Sequence, residues 1–206
     1  KEGKTSFQDL IYGNISVENN EIDDFIIVRS DGSPVYNLTN VVDDSSMEIT
    51  HVIRGEDHVS NTPKQILIYN ALGFKVPTFA HLPMILGEDK KRLSKRHGAT
   101  GVNEYESMGY QPDALLNYLV LLGWNPGTDE EIFDLDSLVK NFDIRKVQKK
   151  SAIYDQKKFN WISLQHLMKE DSEKVLNRLA IIDPEWGESK SQDYLIKVID
   201  LMKPRS

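Results

Sequence analysis

The sequence predicts an α/β region followed by a helical one, and three observations carry that division. Two runs, Phe25–Arg29 and Met47–Arg54, are rich in the branched and aromatic residues that favour strands. The second leads through a polar stretch, Arg54–His58, into a well-marked helix over 60–72, which makes a strand–loop–helix unit. From Gly98 onward the apolar residues recur at helical spacing.

The chain has 206 residues, room for one large or two smaller domains. At 39% hydrophobic and 28% charged it can bury a core, and wholesale disorder is excluded. No run approaches the roughly 18 apolar residues of a membrane span, and Lys1-Glu2-Gly3-Lys4-Thr5 is no signal peptide. Zero cysteines exclude disulfides and thiolate-bound zinc or iron–sulfur sites, which fits a cytoplasmic protein. A net charge of −7 argues against indiscriminate coating of nucleic acid, yet a local cationic patch can still meet phosphate.

In chain order, residues 1–24 are polar, and Leu10-Ile11-Tyr12 and Ile15-Ser16-Val17 read as strands joined through Gly13-Asn14. The unbroken apolar run of Phe25–Arg29 predicts a strand covered on both faces, followed by turn chemistry at Ser30–Pro34. Tyr36 and Asn40, four apart, share a face on either a helix or a strand. Thr62 as cap, Pro63 in the first turn and Gly73 as stop bound the helix that follows Met47–Arg54. From Val76 the chain runs through His81-Leu82-Pro83 into Glu88–Ala99, whose cationic residues surround Ser94 without any periodicity, so this is a loop. Helices are expected over 112–122, over 135–142 with Asp134 as cap, and over 155–170, 172–180 and 191–203. Interruptions are expected near Trp161-Ile162-Ser163 and at Asp183–Gly187, and the last helix has no evident element to pack on.

Arg92-Leu93-Ser94-Lys95-Arg96 resembles the Lys-Met-Ser-Lys-Ser signature of class I aminoacyl-tRNA synthetases. Its flanks, His81-Leu82-Pro83-Met84-Ile85-Leu86 and His97-Gly98-Ala99, are similar to those of the bacterial glutamyl-tRNA synthetases. A second match to that subfamily, Tyr36–Asp44 followed by Val52–His58, comes in the expected order and distance. The resemblance runs from about Phe7 to Lys203. It implies the second half of a Rossmann-type fold, then a helical stem-contact region and part of an anticodon-binding region. The implied boundaries are 1–24 for the end of an acceptor-binding insertion, 25–80 for the sheet, 81–160 for the signature loop and stem contacts, and 161–206 for anticodon-binding helices.

By the same resemblance, Tyr36, Asn40 and Arg54 line a glutamate pocket, in which the arginine pairs with the side-chain carboxylate. A guanidinium can grip a carboxylate through two parallel hydrogen bonds, which a neutral amide cannot match. Asp57, Met84, Ile85, Arg92, Ser94 and Lys95 fall on the ATP side, with the catalytic role on Lys95, whose ammonium stabilises the phosphates during attack by the amino-acid carboxylate. Arg92 stands where the family usually has lysine, so charge is kept and contact geometry altered. The implied partners are ATP with Mg²⁺ as substrate, L-glutamate and tRNA(Glu), acting on a monomer without a membrane. None of the five histidines lies in His-x-Gly-His, the other signature of class I enzymes, so the 206 residues alone are not expected to form glutamyl-adenylate.

Each residue also has a plainer reading: Tyr36 as a core aromatic, Asn40 as a cap, Arg54 and Asp57 as a surface pair worth under ~1 kcal/mol. Asp43-Asp44 and Glu56-Asp57 come without a histidine at ligand spacing, so no protein-bound metal is expected, and His58 carries no assigned role. Arg145, Lys146, Lys149, Lys150, Lys157 and Lys158 are either a solvated face or, as the resemblance implies, sequence-blind contacts to tRNA phosphate. Rival functions are a glutaminyl-tRNA synthetase, the paralogue that attaches glutamate to a queuosine base, and a non-catalytic tRNA-binding module. The text around Arg54 disfavours the first, and the lysine-rich signature with the helices after Gln111 disfavours the second.

Overall fold

The structure is a computed structural model describing residues 1–94 and 101–205. Two compact units emerge, residues 1–84 with 143–151 and residues 85–142 with 152–206.

The first unit is a four-stranded sheet with helices. β1 (Lys4–Asp9) and β2 (Gly13–Glu18) form an antiparallel hairpin. The expected hairpin is present, but its first strand lies earlier than Leu10–Tyr12. Thr5, Phe7 and Asp9 alternate inward along Lys4–Asp9, a period-two pattern hidden by the polar residues between them. Asp9 Oδ1 accepts from the backbone N–H of Ile11 and Tyr12 at 2.9 Å each, which folds residues 10–12 into the turn.

Phe25–Arg29 is not a covered strand. Ile26, Ile27 and Val28 are exposed, and the run makes only an isolated bridge from Val28 to Pro34 around a turn closed by Arg29 and Ser33. α1 (Tyr36–Ser46) places Tyr36 and Asn40 on one helical face and buries Val41. The strand expected over Met47–Arg54 begins only at His51. Met47 caps α1 with its N–H on the Asp43 and Ser45 carbonyls, and Glu48 has a φ of 55°, so the chain turns before β3 (His51–Gly55).

A 3-10 segment over Glu56–Asn61 leads into α2 (Thr62–Leu72), with Pro63 in its first turn and Gly73 at φ 69° closing it. Thr62 is not the cap: it lies inside the helix, fully buried, and its hydroxyl is turned toward the sheet. β4 (Thr78–Leu82), unforeseen between Val76 and the basic loop, is the central strand. It pairs in parallel with β1 and β3, giving the order β2-β1-β4-β3. The core of this unit joins Phe7, Val41, Ile66, Ile68, Tyr69 and Phe79. With β1, β4 and β3 parallel, their carboxyl ends lie at the same edge, where ligands of open α/β sheets bind.

The second unit begins with β5 (Ile85–Leu86), which pairs in parallel with β6 (Ala152–Ile153). Helix α3 (Val102–Ser107) is not among the expected helices, whereas α4 (Pro112–Leu121), α5 (Leu135–Asn141), α6 (Gln156–Lys169), α7 (Ser172–Ile182) and α8 (Gln192–Met202) lie where the sequence predicts them. Asp134 accepts from Ser137 N–H, and Asp155, Asp171 and Ser191 cap α6, α7 and α8 in the same way. The break expected at Trp161–Ser163 is absent, because Ile162 is fully buried against α4 and holds α6 as one helix. Nor does α8 lack a partner: Ile199 packs with Val175 and Leu176 of α7, and the Lys203 ammonium donates to the Ser172 hydroxyl at 2.7 Å. Among the described residues no helix is long and apolar enough to cross a membrane.

Candidate functional site

In the first unit the carboxyl ends of three parallel strands bring titratable side chains together: Asp9 from β1, His81 from β4 and Arg54 from β3. Arg54 and His81 are register partners across the β3–β4 pair. Arg54 Nε lies 3.2 Å from His81 Nε2, and its Nη2 donates to Thr62 Oγ1 and Gln65 Oε1 at 2.8 Å each. Its Nη1 is buried without a hydrogen-bond partner. The Phe79 ring lies 5.6 Å from the guanidinium carbon. Burial pulls the Arg54 pKa down, opposed by Tyr36, Asp44 and Tyr69. Asp44 is half-buried, and desolvation raises its pKa while Arg54 lowers it.

Tyr36 stands at the start of α1, half-exposed, its hydroxyl 3.2 Å from His58 Nδ1. Asn40 is half-buried on the same face of the helix. His58, given no role from sequence, is therefore a neighbour of Tyr36, and Asn61 Nδ2 is also 3.2 Å from its Nδ1. Asp57 is exposed just beyond β3, with Oδ1 2.5 Å from where a Cβ on Gly55 would sit, so the missing side chain leaves room for that carboxylate. Glu56 ties the strand ends together: its Oε1 accepts from Met84 N–H at 2.9 Å and its Oε2 from the Tyr12 hydroxyl. Burial, reinforced by that contact, pushes the Tyr12 phenol well above its usual range.

His81 is fully buried, and that desolvation lowers its pKa from 6.5, with the Asp9 carboxylate opposing and Arg54 and His58 reinforcing. His166 in the second unit is lowered chiefly by the same cause. A histidine held neutral in the fold contributes stability above its unfolded pKa, and that stability is lost as pH falls through about 6.5, since the unfolded chain takes up the proton more readily. The denaturation midpoint of the chain is therefore expected to fall between about pH 7.5 and pH 5.5, ahead of carboxylate titration. An unchanged midpoint across that interval contradicts the assignment.

In the second unit the first part of the predicted loop is tied down. Leu93 N–H donates to Ile85 O, Gly87 N–H to Lys91 O, and Leu86 bridges to Arg92, with Lys90 at φ 58° in the turn. Ile85 and Ser94 are half-buried and Arg92 exposed. Lys95, together with Arg96 and His97, lies outside the described residues. The cationic cluster is partly paired. In the first unit Arg145 makes two bonds to Asp143, 3.0 and 2.9 Å, and Lys149 reaches the Tyr12 carbonyl. In the second unit Lys158 pairs with Glu131.

Sequence reasoning missed Asp9, Thr62, Gln65 and His81 as parts of this site. One signal was available: Thr78–Leu82 is a short strand-like run between Pro77 and Pro83 with a histidine inside, and a buried histidine needs partners.

Residues 1–161 match the family described as tRNA synthetases class I (E and Q), catalytic domain, and the chain belongs to that family. Its relatives within the family include the glutamate–tRNA ligase of Moorella thermoacetica, 47% identical over 98% of this chain and 43% of that protein. The glutamate–tRNA ligase of Geotalea uraniireducens is 49% identical over 100% and 44%. The crystal structure of a glutamate tRNA ligase from Elizabethkingia meningosepticum, in complex with its amino acid, superimposes with a TM-score of 0.88 at 35% identity, covering 100% of this chain and 44% of that one. The chain thus spans less than half the length of these relatives.

Proposed function

We propose that this chain is part of a glutamate–tRNA ligase, in which ATP activates glutamate to glutamyl-adenylate before transfer to tRNA(Glu). The observation carrying this reading is Arg54. Its hydrogen bonds go to the uncharged side chains of His81, Thr62 and Gln65, and Nη1 is left without a partner among the described residues, in a buried setting, so the positive charge is held in place without a bidentate carboxylate of the protein's own. A glutamate side-chain carboxylate supplies what that guanidinium lacks, with Tyr36 and Asn40 on the adjoining helix face. Glutamine offers no such charge, which is the argument against an amide-specific enzyme.

On the nucleotide side, Asp57, the backbone at Met84 and Ile85, and Arg92, Ser94 and Lys95 are assigned to ATP, with Lys95 meeting the phosphates. Mg²⁺ accompanies those phosphates; among the described residues no three His, Asp or Glu side chains are grouped to hold a metal. The sheet is read as the second half of a Rossmann-type fold; residues 1–24, expected to end an acceptor-binding insertion, supply its β1 and β2, and 81–82 the end of its β4, while the rest of 81–160 is read as stem-contacting and 161–206 as the start of the anticodon-binding helices. Arg145, Lys146, Lys149, Lys150, Lys157 and Lys158 are assigned to tRNA phosphate. The enzyme is read as a cytoplasmic monomer.

The test is glutamate-dependent ATP–pyrophosphate exchange and tRNA(Glu) charging by the full-length enzyme that contains this chain. Activity is expected with glutamate and not with glutamine, and the reverse preference overturns the reading. The 206 residues alone, lacking His-x-Gly-His, are expected to give no exchange above background. Exchange by the purified chain would show that the missing signature is dispensable here.

A further inference from the structure

We propose that Asp9 and His81 are positioning residues for substrate recognition, an orienting relay that aims the Arg54 guanidinium. The inference rests on the reading of Arg54 as the carboxylate-binding residue and adds how that residue is held.

The proton positions follow from the donors. Arg54 Nε carries a hydrogen and cannot accept, so at 3.2 Å the facing His81 Nε2 must present a lone pair. The imidazole proton is then on Nδ1, 2.6 Å from Asp9 Oδ2, which accepts it. The carboxylate cannot swing away, because its other oxygen is fixed by the N–H groups of Ile11 and Tyr12. Both Asp9 and His81 side chains are fully buried, so water does not compete for these contacts. On the far side, Gln65 Oε1 and Thr62 Oγ1 take Nη2, and the Gln65 amide is oriented by its own bond to Asn37 Oδ1 at 3.2 Å. Nε and Nη2 are thereby spoken for, and Nη1 is the one guanidinium nitrogen without a hydrogen-bond partner among the described residues.

The neutral ring between the two charges matters. A carboxylate bonded directly to Arg54 would satisfy the guanidinium and compete with the substrate's own carboxylate. With an uncharged imidazole in between, Asp9 fixes the direction of Arg54 while leaving its charge for the ligand. The lowered pKa of His81 agrees with a neutral ring.

Asp9→Asn separates this role from a merely structural one. The Asn oxygen still accepts from Ile11 and Tyr12, but its amide nitrogen now donates to His81 Nδ1. That forces the ring proton onto Nε2, where it costs the Arg54 Nε–H its acceptor and leaves the Thr62 hydroxyl oxygen, 3.1 Å away, as the only group among the described residues able to take it. In the native chain, labelled with ¹⁵N-histidine at neutral pH, His81 is expected to show a protonated Nδ1 and a bare Nε2, and in Asp9→Asn the reverse. In the full-length enzyme, Asp9→Asn is expected to raise the glutamate KM about tenfold or more while kcat and the ATP KM stay within about threefold, because a binding contact shared by ground and transition states is weakened.

A native His81 that is cationic or protonated on Nε2 overturns the relay without need of any variant. So does a reversed tautomer in Asp9→Asn with an unchanged glutamate KM, provided Arg54→Ala still raises it. If Arg54→Ala also leaves the glutamate KM alone, the carboxylate-binding reading itself has failed, and the relay fails with it.

Discussion

In the full-length enzyme, Arg54→Ala is expected to lower kcat/KM for glutamate by about 10²–10⁴, the rate equivalent of the roughly 3–5 kcal/mol lost when one partner of a buried charged pair is removed. The substitution does two kinds of damage. The substrate carboxylate enters a pocket with no cation to receive it, and His81 Nε2, Thr62 Oγ1 and Gln65 Oε1 each lose a donor in a buried setting. Use of glutamine, expected to be poor at the outset, should change far less, so that the preference for the acid over the amide collapses. Arg54→Lys is expected to rescue little. A single ammonium cannot serve His81, Thr62 and Gln65 and still present a nitrogen to the ligand. Near-normal glutamate activation by Arg54→Ala, measured by pyrophosphate exchange, would falsify the assignment.

A comparably large effect on stability is expected from Phe159→Ala in α6. Phe159 is fully buried and lies stacked between Tyr110 and Tyr118, with centroids 4.4 and 4.8 Å away, while Tyr105 meets its edge at 5.6 Å. The three tyrosines are also tied by polar contacts at their rims: the Tyr118 hydroxyl donates to Asp155 O at 3.0 Å, Tyr110 to Asn160 Oδ1 at 2.7 Å, and the Tyr105 hydroxyl lies 3.4 Å from that of Tyr154. They are therefore held back from collapsing into the space left behind. A cost of about 3–5 kcal/mol follows for a large aromatic removed from a rigid site, a large part of the ~5–15 kcal/mol that typically separates folded from unfolded. Trp124, Trp161 and Trp186 all belong to the second unit, so tryptophan fluorescence in a denaturant titration reads that unit alone. A midpoint within experimental error of the parent's would show that the aromatic stack contributes little.

How far the sequence discloses this protein depends on whether its signals are local. The helices of the second unit carry their boundaries in adjacent residues, such as Asp134, Asp155 and Ser191 as caps, and are found where expected. Strand placement is different. Phe25–Arg29 has the composition of a buried strand and is exposed, whereas Thr78–Leu82, with a histidine and a threonine, is the central one. Which run enters a sheet is decided by pairing partners distant in the chain, and composition does not report them. The site divides along the same line. Tyr36, Asn40 and Arg54 are recognisable because they sit in motifs that can be matched in order. Asp9 and His81 are not, since their meaning arises only from lying 2.6 Å apart across the sheet.

The pairing of β5 with β6 has a consequence for synthesis on the ribosome. Ile85 and Leu86 emerge on the order of 70 residues before Ala152 and Ile153, their ladder partners among the described residues. At about 5–20 residues per second the nascent chain carries the Gly87–Lys91 turn without that two-strand anchor for several seconds. Translation stalled before Ala152 would leave the turn preceded by an unpaired strand, an open edge of the kind that chaperones shield.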